Sequence, residues 1–171
     1  SLGNKLNIVQ GSVTITQNED MDVTTLTAVM SKLRTVTLGV TYTSTSSATT
    51  QVPLANLISA GGLTISQAGD ISLPKLTTVN GNLSISGQDG LTDDFTKTVS
   101  LPLLTSVTKA VAPAATMTFA SISKATTFSM PSMVEFDGDI SISIADTGST
   151  VDISKFKNDT DLSTGLAETS A

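Results

Sequence analysis

Apolar and hydroxyl side chains alternate along several short stretches of this chain. A six-residue phrase, Gly-x-apolar-(Ser/Thr)-Ile-(Ser/Thr), occurs four times. Alternation places successive side chains on opposite faces of an extended chain, so each copy predicts a β-strand with an apolar inner face and a hydroxyl-bearing outer face. The glycine that opens each copy predicts a sharp corner before the strand. The copies occupy residues 11–16, 61–66, 81–86 and 138–143.

A second phrase, apolar-x-apolar-x-x-apolar-x-x-apolar, lies between the copies of the first. In three copies a proline follows the second apolar residue, at Pro74, Pro102 and Pro131. Because proline lacks the N–H group that a sheet requires, the phrase predicts a short strand that ends in a corner and a tight 3₁₀-like turn. Each coil is therefore predicted to contain two strands and two corners. The copies begin at Met21, Val52, Ile71, Val99, Phe128 and Val151.

The two phrases form one repeating series, in which the starts of the second phrase are 19 to 31 residues apart. Weaker copies of the first phrase at residues 36–38 and 117–119 complete the series, and the irregular spacing falls in predicted loops at 39–50, 88–97 and 110–115. Repeats of about 20 to 30 residues with variable loops are typical of solenoids. We therefore predict an all-β fold, a short parallel β-solenoid of about six coils.

The pattern predicts a single solenoid domain over residues 1–158 that begins in the middle of a repeat, since residues 6–13 have the apolar spacing of residues 76–83. A coil of about 25 residues buries about five apolar side chains worth about 1.5–3 kcal/mol each, whereas ordering its backbone costs about 1–2 kcal/mol per residue. One coil therefore cannot fold alone, and the coils must stack. The polar tail at 159–171 is either a cap for the last coil or a linker.

Residues 71–87, ISLPKLTTVNGNLSISG, resemble the repeat of receptor L-domain and irregular leucine-rich-repeat proteins of cell surfaces, in which Leu-x-x-Leu-x-x-Val-x-Gly-x-Leu-x-Ile recurs. At the level of the repeat, the resemblance covers most of the chain. It implies a leucine-rich-repeat-like, right-handed β-solenoid that is displayed outside the cell and binds or adheres. Receptor ectodomains of this type carry disulfides, so the absence of cysteine favours a bacterial exported protein.

The composition excludes several kinds of chemistry. The chain has no histidine and no cysteine, which excludes a Ser-His-Asp triad, a thiol nucleophile, and zinc or haem sites of the usual ligand types. With 9 basic residues against 15 acidic ones, a net charge of −6, nucleic acid is an improbable partner. No apolar run is long enough to cross a bilayer, and no export signal is recognisable in the chain. We expect no cofactor and no metal site.

The candidates for ligand binding are Thr41, Tyr42 and Thr43, in the predicted loop at 39–50. Tyr42 is the only tyrosine, and an exposed ring among hydroxyl groups can stack on a sugar or anchor a protein contact. The alternative is that Tyr42 folds onto the coil beneath it. Rows of threonine organise water in ice-binding solenoids, but here serine and threonine interchange from coil to coil, and the preference of threonine for strands explains the rows better.

Acidic clusters near the predicted corners offer oxygen ligands for calcium. None of them has the spacing of a calcium loop, and local hydrogen bonds of aspartate to turn amides explain them without a metal. They lie at residues 19–22, 93–94, 137–139 and 159–161.

These features favour a non-enzymatic, extracellular binding or adhesion module of a larger cell-surface protein, which contacts a protein or a glycan through its flank and loop insertions. The first alternative is a structural spacer or stalk segment without a ligand. A polysaccharide-active β-helix enzyme is disfavoured, because the three glutamates are scattered and there is a single arginine. A binder is expected to gather aromatic and hydrogen-bonding side chains on one flank, whereas a spacer is expected to be evenly hydroxylated.

Overall fold

A computed structural model describes residues 7–18, 23–44, 52–66, 70–87, 98–122, 127–136 and 138–144. The predicted loop at 88–97, the second-phrase copy at Val151 and the polar tail at 159–171 lie outside the described residues. The described elements are β1 Ile8–Val9, β2 Ser12–Gln17, α1 Val23–Met30, β3 Thr35–Val36, β4 Gly39–Ser44, β5 Ser59–Ala60, β6 Leu63–Ser66, β7 Ile71–Ser72, β8 Thr78–Val79, β9 Leu83–Ser86, β10 Thr98–Ser100, β11 Ser106–Val107, β12 Ala115–Ile122, β13 Thr127–Ser129, β14 Glu135–Phe136 and β15 Gly138–Ile144.

The strands form three sheets around one axis. Sheet A has six strands in the order β1-β3-β5-β8-β11-β14, and sheet B has six in the order β15-β12-β9-β6-β4-β2. Sheet C has three strands in the order β13-β10-β7. Every described strand pair is parallel and joins strands from successive repeats. The predicted parallel β-solenoid is therefore confirmed.

The apolar positions of the two phrases form one continuous core. In the first phrase, Ile65 of β6 and Ile85 of β9 are both buried and lie opposite each other in sheet B. In the second phrase, all four apolar positions are buried in the copies that span residues 52–60, 71–79 and 99–107. The inward positions predicted from the alternation are confirmed for these copies.

The later coils contain three strands, so the prediction of two strands per coil is wrong for them. The second phrase turns as predicted, since the Leu76 N–H donates to the Leu73 carbonyl at 3.2 Å just after Pro74. Val79, the last apolar residue of that phrase, lies in a strand and not in the turn, because it pairs with Val107 of the next coil. This pairing creates sheet A as a further side of the solenoid.

The first copy of the second phrase forms a helix, which corrects the prediction of a strand and turn there. Residues Val23–Met30 are α1. This copy has no proline after Val23, and apolar residues spaced by three also satisfy a helix. Leu26 and Met30 lie four residues apart on one helical face and pack against the core, whereas Val29 is 42% exposed.

The prediction of a weak copy of the first phrase at residues 36–38 is also wrong, because the strand that aligns with the other copies lies further along the chain. The strand that belongs to this series is β4, which places Val40 opposite Val13 of β2. Val36 lies in sheet A instead. The first half of the predicted loop at 39–50 is thus a strand, because its apolar and threonine residues alternate with the period of an extended chain.

Candidate functional site

Hydroxyl side chains form two in-register rows on the outer face of sheet B, which we name the hydroxyl face. Alternation turns every second residue outward, and the parallel register then aligns Thr14, Thr41 and Thr64 on neighbouring strands. These side chains are exposed or half-exposed. The first row is Thr14, Thr41, Thr64, Ser84, Thr118 and Ser141, and the second row is Thr16, Thr43, Ser66, Ser86 and Ala120.

Tyr42 lies inside the solenoid, so the expectation of an exposed ring is wrong. Its exposed fraction is 0%, and it lies opposite Ile15, in the isoleucine position of the first phrase. The Tyr42 hydroxyl donates to Oε1 of buried Gln17, and this bond satisfies the polar end of the ring. Tyr42 is therefore a core residue that cannot stack on a ligand, while Thr41 and Thr43 lie outside on the hydroxyl face.

A cleft of about 300 Å³ lies beside the hydroxyl face, at the corner where the chain passes from sheet A to sheet B. We name it the corner cleft. Its volume is at the small end of the range for ligand pockets, about 300 to 1,000 Å³, and the cleft is shallow and widely open to solvent. Three successive repeats form its walls, and a fourth contributes a lysine. It is lined by Gly39, Val40, Thr41, Gly61, Gly62, Leu63, Thr64, Asn80, Gly81, Asn82 and Lys109.

The glycines of the corner cleft are of two kinds. A Cβ atom at Gly61 would clash with the Leu38 carbonyl oxygen, and a Cβ atom at Gly81 would clash with the Gly61 carbonyl oxygen, so the approach of the coils requires glycine at both. At Gly39 and Gly62 the nearest atom to an added Cβ lies at ordinary contact distance, 3.8 and 3.6 Å respectively. Packing does not require glycine at these two positions, and the lack of side chains there keeps the cleft open.

Hydrogen bonds between coils fix the floor of the corner cleft. The Val40 N–H donates to the Gly62 carbonyl at 2.9 Å, and the Leu63 N–H donates to the Asn82 carbonyl at 2.9 Å. Oδ1 of Asn82 accepts from the Thr116 N–H at 3.2 Å. Asn82 is exposed, and its amide NH₂ group donates to no atom of the described part of the chain.

Lys109 is the one charged residue among those that line the corner cleft. The described residues carry four cationic and three anionic side chains, and none of these carboxylates lines the cleft. The net charge of −6 on the whole chain therefore arises outside the described part, and Lys109 is the charge that the described lining brings to the cleft. The cations are Lys32, Arg34, Lys75 and Lys109, and the carboxylates are Asp70, Glu135 and Asp139.

The acidic clusters at 19–22, 93–94 and 159–161 lie outside the described residues, and of the cluster at 137–139 only residues 138 and 139 are described. Asp139 is exposed in β15. Across the ranges that the structure describes, no three His, Cys, Asp or Glu side chains come together in a way that could hold a metal ion. The interpretation of these clusters as turns stays a prediction.

The sequence pointed to Thr41 but not to Gly62, Asn82 and Lys109, which line the same cleft. One available signal was the doublet Gly61-Gly62, because a corner requires only the first of these glycines. No local pattern connects Lys109 with Thr41, since only the stacking of the coils brings them to one cleft.

No protein-family model matches this chain. No curated protein and no solved structure matches it either. The only helix in the described ranges, α1, has eight residues and is far too short to span a bilayer.

Proposed function

We propose that this chain is a non-enzymatic binding module of a larger cell-surface protein, displayed outside the cell, and that it binds a glycan in the corner cleft. The observation that carries the proposal is the pair Gly39 and Gly62, which keep the cleft open although packing would admit side chains there. The likeness of residues 71–87 to the repeat of receptor L-domain proteins supports display outside the cell.

The groups that line the corner cleft suit the hydroxyl groups of a sugar. The hydroxyls of Thr41 and Thr64 both donate and accept, and the amide NH₂ of Asn82 donates. The bare backbone at Gly39 and Gly62 allows a ring to approach closely. A few fixed polar groups around an open floor give a ligand its orientation, as in other small-molecule sites.

Binding without cleavage agrees with the charges of the cleft. Hydrolysis of a glycosidic bond usually requires two carboxyl groups, one on each side of the bond. Among the residues that line the corner cleft there is no carboxylate. A sugar held against Thr41, Thr64 and Asn82 is therefore bound but not attacked.

The proposal is tested with a glycan array and a variant that fills the cleft, Gly62→Val. We expect the wild-type protein to bind a defined subset of glycans, and Gly62→Val to weaken that binding by about tenfold or more, as the loss of a central contact typically does. The matched control is Ser66→Val, which changes the same outer face of β6 but not the cleft. Circular dichroism of both variants separates loss of binding from loss of fold.

A structural spacer is the second candidate, and the distribution of hydroxyl groups favours it. Serine and threonine occupy four of the six outer positions of sheet A, where the other two are Ile8 and Glu135, and they also occupy outer positions of sheets B and C. The aromatic rings whose side chains are described are buried or half-buried. If folded wild-type protein binds neither the glycan array nor cells, the binding proposal is wrong and the spacer stands. The outer residues of sheet A include Thr35, Ser59, Thr78 and Ser106, and those of sheet C include Ser72, Ser100 and Ser129.

A further inference from the structure

Lys109 brings a positive charge to a cleft whose other lining residues are neutral. It is half-buried, and within the described part of the chain it makes no hydrogen bond or ion pair. Lys75 differs, because its Nζ donates to Oδ1 of Asn56 at 2.6 Å between two coils. Lys75 thus has a structural role in the stack, whereas nothing in the described fold employs the ammonium group of Lys109.

Lys109 forms no ion pair with a carboxylate of the described residues. Along the strands of sheet B, Asn82 is followed by Thr116 and then by Asp139. Two strand spacings of about 4.8 Å place the backbone of Asp139 roughly 10 Å from that of Asn82. Within the described part of the chain, the ammonium group of Lys109 is therefore not engaged in an ion pair, and an anion in the corner cleft can pair with it.

We infer that the ligand of the corner cleft is an acidic sugar, a uronic acid residue of a glycan, whose carboxylate pairs with Lys109 while its hydroxyl groups bind Thr41, Thr64 and Asn82. This inference rests on the proposed function and adds the chemical class of the glycan. A half-buried ammonium group gains from an anionic partner, and the neighbouring hydroxyl and amide groups gain from a polyol. An anion without hydroxyl groups would pair only with the ammonium group, and a neutral sugar would bind only the hydroxyl and amide groups.

The test compares oligomers of galacturonate, glucuronate and mannuronate with their methyl esters, which keep the hydroxyl groups but lose the charge. Isothermal titration calorimetry on the whole chain measures each affinity at low and high salt. We expect at least one acid to bind about fivefold more tightly than its ester, the effect of one largely exposed ion pair. High salt should reduce this preference.

Variants of Lys109 locate the preference. Lys109→Gln should bring the affinity for the acid down to that for the ester and leave the ester unchanged. Lys109→Arg should restore the preference for the acid, because it keeps the charge. The control Lys75→Gln, which removes a lysine outside the cleft, should bind like the wild type.

Three results would overturn the inference, and they bear differently on the proposed function. If acids and esters bind equally and Gly62→Val weakens both, the acidic preference is wrong and the glycan cleft stands. If the preference for acids survives in Lys109→Gln, the cleft binds acidic sugars by other groups and the assignment to Lys109 is wrong. If folded wild-type protein binds no acid, no ester and no other glycan, both proposals fail.

Discussion

Individual glycine positions connect the packing of the coils with the shape of the corner cleft. Gly61 and Gly81 stand where the backbone of the preceding coil leaves no space for a Cβ atom, whereas Gly39 and Gly62 stand where a side chain fits. The same residue type therefore serves the fold at two positions and the cleft at two others.

A pair of alanine substitutions separates these two roles. Gly81→Ala places a methyl group against the Gly61 carbonyl and should lower the free energy of unfolding by about 1–3 kcal/mol, the usual cost of overpacking. Gly62→Ala meets only ordinary contacts and should stay within about 0.5–1 kcal/mol of the wild type. Urea unfolding followed by circular dichroism measures both, and equal stability of the two variants would contradict the assignment.

A second pair of substitutions compares an inward position with an outward one. Leu76 is 0% exposed in the core, so Leu76→Asp buries an unpaired charge and should cost more than about 4 kcal/mol. Thr41 lies half-exposed on the hydroxyl face, so Thr41→Ala should change stability by less than about 0.5–1 kcal/mol. Thermal melts of the two variants check this, and similar melting temperatures would show that the inner and outer faces are assigned wrongly.

At the scale of the element, the period of the apolar residues predicted most strands of sheets B and C but not the short strands of sheet A. The copy at 71–79 has a proline that stops the strand, and the structure follows the prediction there up to the turn, after which Thr78 and Val79 form β8. The first copy lacks that proline and forms α1, because apolar residues three and four apart are compatible with either structure. The spacing of the apolar residues alone does not distinguish a helix from a strand and turn when no proline or glycine marks where the element ends.

β4 was missed for a different reason. Its strand-like alternation lies in a serine- and threonine-rich segment with no opening glycine at the usual position, which Leu38 occupies. Tyr42 takes the place of isoleucine there, and only the nearby amide oxygen of Gln17 shows that its hydroxyl group can be buried. A side chain with an apolar ring and a polar end can be assigned to the core only when its partner is known.

The candidate site was predictable only in part, since it is a product of stacking. Thr41 could be identified as an outward hydroxyl from alternation alone. Asn82 and Lys109 line the same cleft as Thr41, although they lie 41 and 68 residues after it in the chain. Nothing in their local sequence shows this proximity, because it depends on loop lengths and on the register between coils.

At the scale of the whole molecule, the fold and the site depend on the same stacking. The core is continuous because Val40, Leu63 and Leu83 come into register across sheet B. Hydrogen bonds of side chains outside the sheets also join neighbouring coils. The Ser132 hydroxyl, for example, donates to the Pro102 carbonyl of the neighbouring coil at 2.7 Å. A shift of one residue in the register would turn apolar residues outward and dismantle the corner cleft together with the core.

The parallel stacking of successive repeats is tested most directly by nuclear Overhauser spectroscopy on the isotope-labelled protein. We expect amide-to-Hα cross-peaks that connect Thr41 with Thr64 and Thr64 with Ser84, without strong Hα–Hα cross-peaks between these strands. Antiparallel neighbours would bring facing Cα atoms to about 4.5 Å and give strong Hα–Hα cross-peaks. Strong Hα–Hα cross-peaks between these strands, or the absence of any contact between Thr41 and Thr64, would contradict the solenoid and the cleft built on it.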